Sequence, residues 1–213
     1  FGPGTPELIA WMMAGNGMRL YQEMYDHHGY NVKVLICSII PPETSGWFAK
    51  EILSVEDLRG LKIRFYGLGG SVLRKLGAAV NILPAGEIFP ALEKGVIEAT
   101  EFSLPVIDEN LGFYKLVKNN YFPGWHQQST QFELMMNLEK WNALSDTHKA
   151  QLEVACLANY TIGLAEGEAI QGKAIAELQS KGVTIHKWDQ KSLDRLESAW
   201  NEVAAELVAE NAT

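Results

Sequence analysis

The chain has 213 residues, 47% of them hydrophobic and 21% charged, the balance of an ordered soluble protein that can bury the core of one domain or of two small ones. A formal charge of -8 and a pI near 5.2 argue against a nucleic-acid partner, which needs a concentrated basic surface. No run reaches the roughly 18 consecutive apolar residues of a membrane span. The N-terminus shows none of the regions of a signal peptide, and because it begins Phe1-Gly2-Pro3-Gly4 without Met, the chain reads as a processed or truncated product.

In chain order, Thr5 and Pro6 predict a helix start, with Leu8, Ile9, Trp11, Met12, Leu20 and Met24 on a largely apolar helix interrupted by Gly15 and Gly17. Val32 to Ile36 reads as a strand. Ser54 to Leu58 has capping-box spacing and ends at Gly60; Lys62 to Tyr66 is a second strand, and Gly67, Gly69 and Gly70 lead into a short helix over Val72, Leu73 and Leu76. Ala79 to Leu83 is a third strand, Glu87 to Lys94 a helix stopped by Gly95, and Val96 to Ala99 another short strand. This alternation predicts an α/β fold with a parallel or mixed sheet.

Tyr121 to His126 is a junction rich in aromatics, and Phe132 to Asn137 a strand that leads into a helix near Lys140 and Trp141. Ser145 to about Ser180 carries one long helical pattern with Leu152, Ala155, Cys156, Ile162 and Ala169 on its apolar face. Its length suggests a helix that bridges two lobes or packs on a partner. Gly182 stops it, Val183 to Trp188 reads as a strand, and Asp189 caps a final helix through Leu207. Cys37 and Cys156 are read as two buried thiols, with a single disulfide as the other reading.

The chemistry centres on Arg64. It stands near the end of an apolar strand and before a Gly-rich turn, where its donor fork can receive a carboxylate; an internal salt bridge is the alternative role. The Gly67-Leu68-Gly69-Gly70 turn lacks both the P-loop and the dinucleotide spacing. The five histidines are too scattered for a structural zinc site. Cys156 and Ser71 have no nucleophile setting, and an enzyme would have to use Glu43, Glu101 or Asp108 as a general base. Glu43, Glu101-Phe102 and Trp125-His126-Gln127 all fall at strand ends, where open α/β sheets bind ligands. An acid ligand beside both Arg64 and Glu43 would need a cation between the carboxylates.

Several words occur in order: Gly46-Trp47-Phe48-Ala49-Lys50-Glu51-Ile52, Asp57 to Arg64, Gly67 to Gly70, Leu92 to Glu101, and Tyr121-Phe122-Pro123-Gly124-Trp125-His126. Together they resemble the extracytoplasmic solute receptors of tripartite ATP-independent periplasmic (TRAP) transporters, the DctP-like family. The resemblance runs almost the whole chain, which looks like roughly the C-terminal two thirds of a family member.

It implies a two-lobed α/β fold of the type II periplasmic solute-binding kind with a long inter-lobe helix. The segments would be residues 1–36 as the remainder of the first lobe, 37–130 as the second lobe, 131–180 as crossover strand and bridging helix, and 181–213 as the C-terminal strand and helix. It also implies a non-enzymatic, periplasmic receptor that closes around a small organic acid, a 2-oxo or 2-hydroxy monocarboxylate, and serves a sodium-driven membrane permease; a homodimer is open. Arg64, Glu43, Glu101, Phe102 and Gln127 would form the ligand site. There is no cofactor in the strict sense, but Na⁺ or Ca²⁺ could bridge the ligand through Glu43, Phe102 and Gln127. Glu43 and Gln127 stand where the related branch has glutamine and glutamate, and Phe102 where it has tryptophan. An enzyme acting on a small oxo acid and a protein-interaction module are the competing classes.

Overall fold

The computed structural model describes residues 2–210, so residue 1 and residues 211–213 of the expected terminal segments lie outside the described residues. Two helices, α1 (Thr5–Ala14) and α2 (Gly17–His27), precede strand β1 (Val32–Ile40) and strand β2 (Gly46–Phe48). There follow β3 (Lys62–Arg64), α3 (Gly67–Lys75), β4 (Ala79–Asn81), α4 (Ala85–Glu93), β5 (Ala99–Thr100), α5 (Pro105–Leu111) and β6 (Asn119–Tyr121). The chain continues through β7 (Thr130–Asn137), α6 (Leu138–Asn142), α7 (Asp146–Ser180), β8 (Thr184–His186) and α8 (Gln190–Glu210). By internal packing the described chain forms two compact units.

The first unit comprises residues 42–127 and 171–210 and is built on a six-stranded mixed sheet of order β4-β3-β5-β2-β6-β8. β3 pairs in parallel with β4 and β5, whereas β2 runs antiparallel to both β5 and β6. Consecutive strand residues point to opposite faces, and here both faces are covered. Trp47 packs with Ile88, Ile97, Phe113 and Leu178, while its neighbour Phe48 packs with Ile63, Phe65, Leu196 and Ala199. Trp47 and Phe48 are both almost fully buried, each stabilising the fold by about 1.5–3 kcal/mol. Ser192 N–H donates to Asp189 (2.9 Å), so Asp189 caps α8 as expected.

The second unit comprises residues 2–41 and 128–170, with β1 and β7 as an antiparallel pair flanked by α1, α2, α6 and the first part of α7. A register shift between Ile36 and Ser38 takes Cys37 out of the ladder, and Cys37 is joined to Cys156 of α7 in a disulfide. The reading of two free thiols is therefore corrected. A strand and a helix that meet in space bring together two cysteines 119 positions apart, a juxtaposition that spacing alone does not encode. Asn159 on α7 donates to the Cys37 carbonyl (2.8 Å).

Other expectations shift with local physics. Gly4 rather than Thr5 caps α1, and the Thr5 hydroxyl instead donates to the Gln128 carbonyl. The capping-box segment forms only a 3₁₀ turn, Val55–Leu58, whose Asp57 accepts the Leu53 and Ser54 amides. Residues 96–98, expected in a strand, stay outside it after the turn at Lys94 and Gly95, because the Val96 and Ile97 amides both bond back to Ala91 in the last turn of α4. On α7 the buried positions are Cys156, Tyr160, Gln171, Ala174 and Leu178, while Ile162 of the expected apolar face is exposed. The strand Gly46–Phe48 and the helix Pro105–Leu111 have no counterpart in the sequence reading; the first is only three residues long.

Candidate functional site

The sheet topology of the first unit gathers one set of side chains at one sheet end. Arg64 closes β3, and Glu101 follows the parallel strand β5, its amide donating to the Arg64 carbonyl (2.9 Å). Because β2 is antiparallel to β5 and β6, the residues that precede it, Glu43 to Ser45, lie at that same end. β6 leaves the sheet through the cis Phe122–Pro123 bond into Gly124-Trp125-His126-Gln127. The turn is tied to the Glu43 backbone on both sides: the Gly124 amide donates to the Glu43 carbonyl (2.6 Å), and the Glu43 amide donates to the Gln127 carbonyl (3.3 Å). A β-carbon at Gly124 would sit 2.7 Å from the Glu43 carbonyl oxygen, so this approach requires glycine.

Arg64 is buried and held from three sides. Nε donates to the Leu83 carbonyl (3.3 Å), and Nη1 donates to the Glu101 carbonyl and to Glu101 Oε2 (3.1 Å). None of these bonds uses Nη2. The guanidinium carbon lies 5.3 Å from the centre of the Phe102 ring and 6.0 Å from that of Tyr66, so aromatic faces complete its cradle. Both readings of Arg64 are thus compatible: it is in an internal ion pair and it also lines a cavity of about 240 Å³ with Glu43, Glu101, Phe102, His126 and Gln127.

Carboxyl groups outnumber the one arginine in this neighbourhood. Glu43 and Glu101 are 6% and 4% exposed, and His126 Nε2 stands 3.9 Å from Glu43 Oε2 and 3.7 Å from Glu101 Oε1. Those separations are too long for hydrogen bonds. Among the described residues neither ring nitrogen of His126 has a hydrogen-bond partner, although both are buried; the ring meets Phe65 edge-on at 4.8 Å. Burial, then the nearby Glu101 and Asp108 charges, push the Glu43 carboxyl up to about 8, against the opposing pull of Arg64. Asp108, fully buried, accepts the Thr44 hydroxyl (2.9 Å), the Trp47 indole N–H (2.7 Å) and the Ser103 amide (3.1 Å). Desolvation nonetheless raises it to about 7.

The donor set fits a cation. Glu43, Glu101 and His126 offer ligand atoms that all lie within 4.8 Å of one another, and a positive ion there would relieve both the carboxylate repulsion and the unfilled hydrogen-bonding capacity of His126. Carboxylate oxygens are the hard ligands that Na⁺ and Ca²⁺ accept. A larger cavity, about 550 Å³, lies between the 3₁₀ turn and α8, but the polar groups there, Ser54 and Asp189 among them, belong to helix-end caps rather than to a buried convergent set.

All five residues expected at the ligand site line the smaller cavity. Trp125, which could equally have formed a wall, is a core residue stacked on Phe65. His126 was legible only as part of a strand-end word, although its place between Trp125 and Gln127 was the available signal. Asp108 stood out only as a possible base; its three donors come from residues between 5 and 64 positions away, which no local pattern reveals.

Residues 42–211 match the model of the bacterial extracellular solute-binding protein family 7, DctP. A monocarboxylate 2-oxoacid-binding periplasmic protein of a Nostoc species is 34% identical over all of this chain, which spans 57% of that protein. Among solved structures, a TRAP transporter solute-binding protein from Bordetella bronchiseptica superposes with a TM-score of 0.91 at 34% identity, covering 99% of this chain and 62% of the other; it is described as a dimer with calcium and picolinate in one active site. A TRAP periplasmic solute-binding protein from Colwellia psychrerythraea, with bound calcium and pyruvate, gives 0.90 at 33% identity over 100% of this chain and 64% of its own. One from Pseudoalteromonas atlantica, with bound sodium and pyruvate, gives 0.88 at 33% identity, again covering 100% and 64%. The chain therefore spans less than two thirds of the length of the relatives it matches.

Proposed function

The chain belongs to the bacterial extracellular solute-binding protein family 7, and from that premise we propose that it is the acid-recognising part of a TRAP transporter receptor for a small 2-oxo or 2-hydroxy monocarboxylate. The observation that carries this reading is the buried Arg64 facing a small polar cavity beside two buried carboxylates. Arg64 receives the ligand carboxylate through the donors left by its bonds to Glu101 and Leu83. Phe102 and Tyr66 shield that pair from water.

An acid entering this cavity brings a further negative charge to Glu43 and Glu101. Glu43, Phe102 and Gln127, with Glu101 and His126 alongside, would hold a Na⁺ or Ca²⁺ ion that would offset it. When bound, the ion supplies only charge neutralisation and orientation of the ligand oxygens. The site works as a receptor rather than an enzyme: its carboxylates are occupied in holding Arg64 and a cation, and the relatives are described as solute-binding proteins. The reading places the protein outside the cytoplasm, working with a membrane permease, and the disulfide within the second unit suits an oxidising compartment.

The test is a thermal-shift screen of the chain against 2-oxo, 2-hydroxy and dicarboxylic acids, each with and without Na⁺ or Ca²⁺. The proposal expects a cation-dependent rise in melting temperature with short 2-oxo or 2-hydroxy monocarboxylates, since native-state binding adds stability by linkage. No rise with any monocarboxylate under any cation condition would overturn it.

A further inference from the structure

We infer that Asp108 is a positioning residue, whose single carboxylate sets the spacing between the two site segments that carry Glu43 and Glu101 and thereby the affinity for a cation. The inference rests on the proposed acid-and-cation reading of the site and adds to it a residue that does not itself line the cavity.

Three donors converge on Asp108, and they come from both segments. The Thr44 hydroxyl belongs to the residue next to Glu43, and the Ser103 amide lies two residues after Glu101. The Trp47 indole N–H anchors the same carboxylate to the centre of the sheet. A direct backbone bond from the Thr44 amide to the Ser103 carbonyl (2.9 Å) runs alongside, so the two segments are clamped once through the main chain and once through Asp108. Both Thr44 and Asp108 have no solvent exposure, which leaves no water to replace a lost partner.

A hydrophobic residue at 108 would fill the space, and a buried carboxylate is costly unless its bonds serve a purpose. Its geometry supplies one. Oδ2 takes Thr44 and Trp47 together while Oδ1 takes Ser103, an arrangement of acceptors that only a carboxylate offers. In Asp108→Asn the amide must turn an N–H toward one of these donors, and the clamp opens on one side without any change of volume. Such a supporting bond acts on a metal ligand as a hydrogen bond to its second neighbour does elsewhere, holding the ligand where the ion needs it.

The experiment measures Ca²⁺ affinity by titration calorimetry with pyruvate present, the melting midpoint without ligand, and amide hydrogen exchange, on the wild-type chain, Asp108→Asn and Thr44→Val. The expected result is Ca²⁺ binding weakened tenfold or more in Asp108→Asn and several-fold in Thr44→Val, with faster exchange at residues 44, 45 and 103 but not in α8, and a midpoint that moves by only a few degrees. Ca²⁺ affinity within twofold of wild type in Asp108→Asn would overturn the inference. If Asp108→Asn does not fold, the Thr44→Val result decides. If the wild-type chain binds neither Ca²⁺ nor acid, the proposed function fails separately, and the clamp is judged on exchange: unchanged protection at 44 and 103 in the variants overturns it, and selective loss there supports it.

Discussion

Arg64 and Glu101 are bound to one another through both backbone and side chain: the Glu101 amide donates to the Arg64 carbonyl, and the Arg64 guanidinium donates back to the Glu101 carbonyl and carboxylate. The pair makes the guanidinium proposed to receive the acid part of the sheet, so its orientation is fixed without a ligand. Preorganisation of this kind lowers the ordering cost of binding.

That relationship separates the structural role of Arg64 from its proposed ligand role. Arg64→Ala leaves Glu101 buried without its partner and is expected to cost about 3–5 kcal/mol. Adding Glu101→Gln removes the stranded charge and should restore most of that stability without restoring acid binding. Denaturant unfolding and calorimetry on the two variants check this; a double variant that regains acid affinity would assign the binding to another group.

On the proposed reading, the raised Glu43 carboxyl gives cation binding a pH dependence of defined sign. In the ligand-free fold Glu43 keeps its proton until about pH 8, whereas the unfolded chain releases it near 4.5, so the folded state binds more protons between those values. The stability this contributes is complete below pH 4.5 and is lost as pH rises toward 8. Asp108, raised from 3.8 to about 7, acts in the same direction. A cation needs the ionised form, so its affinity should climb by up to about tenfold per pH unit below pH 8 and level off above it. Calorimetry at a series of pH values gives the slope, and Glu43→Gln should flatten it.

Gly124→Ala tests the close approach of the Pro123-Gly124 turn to Glu43. The added methyl would overlap the Glu43 carbonyl oxygen, which is backbone and cannot swing aside. The expected loss is about 1–3 kcal/mol of stability, together with weaker cation binding, because the overlap displaces Glu43. Melting and Ca²⁺ titration read the two effects.

The disulfide joins two residues of the second unit, and the loop it closes, 119 positions in sequence, includes residues 42–127 of the first. In the chain-entropy account a loop of about 100 residues is worth about 4.7 kcal/mol. Cys37→Ser with Cys156→Ser should therefore lower unfolding free energy by up to about that amount, and a reducing agent should have no further effect on the double variant. Equal melting of oxidised and reduced wild-type chain would contradict the bond.

The α/β alternation over residues 54–100, the long α7 and the strand-end placing of Arg64 and Glu101 were legible because each rests on local pattern: periodicity, glycine stops, and a charged residue closing an apolar run. Strand β2 was not, since three residues cannot show a period, yet its antiparallel direction is what delivers Glu43 to the site. The apolar face of α7 is legible only in part: Cys156 is buried and Leu152 packs on its cluster, whereas Ile162 is exposed and Tyr160, Gln171, Ala174 and Leu178 are buried against neighbours distant in sequence. The same holds for Cys37 with Cys156 and for the three donors of Asp108, which only the folded chain brings together.

The most direct test of the account is a calorimetric titration of pyruvate into the wild-type chain and into Arg64→Lys, each with and without Ca²⁺. The account predicts binding by the wild-type chain that strengthens at least tenfold with Ca²⁺, and a loss of tenfold or more in Arg64→Lys, whose point charge cannot reproduce the planar donor fork. Pyruvate binding of equal strength in both proteins, indifferent to Ca²⁺, would contradict it.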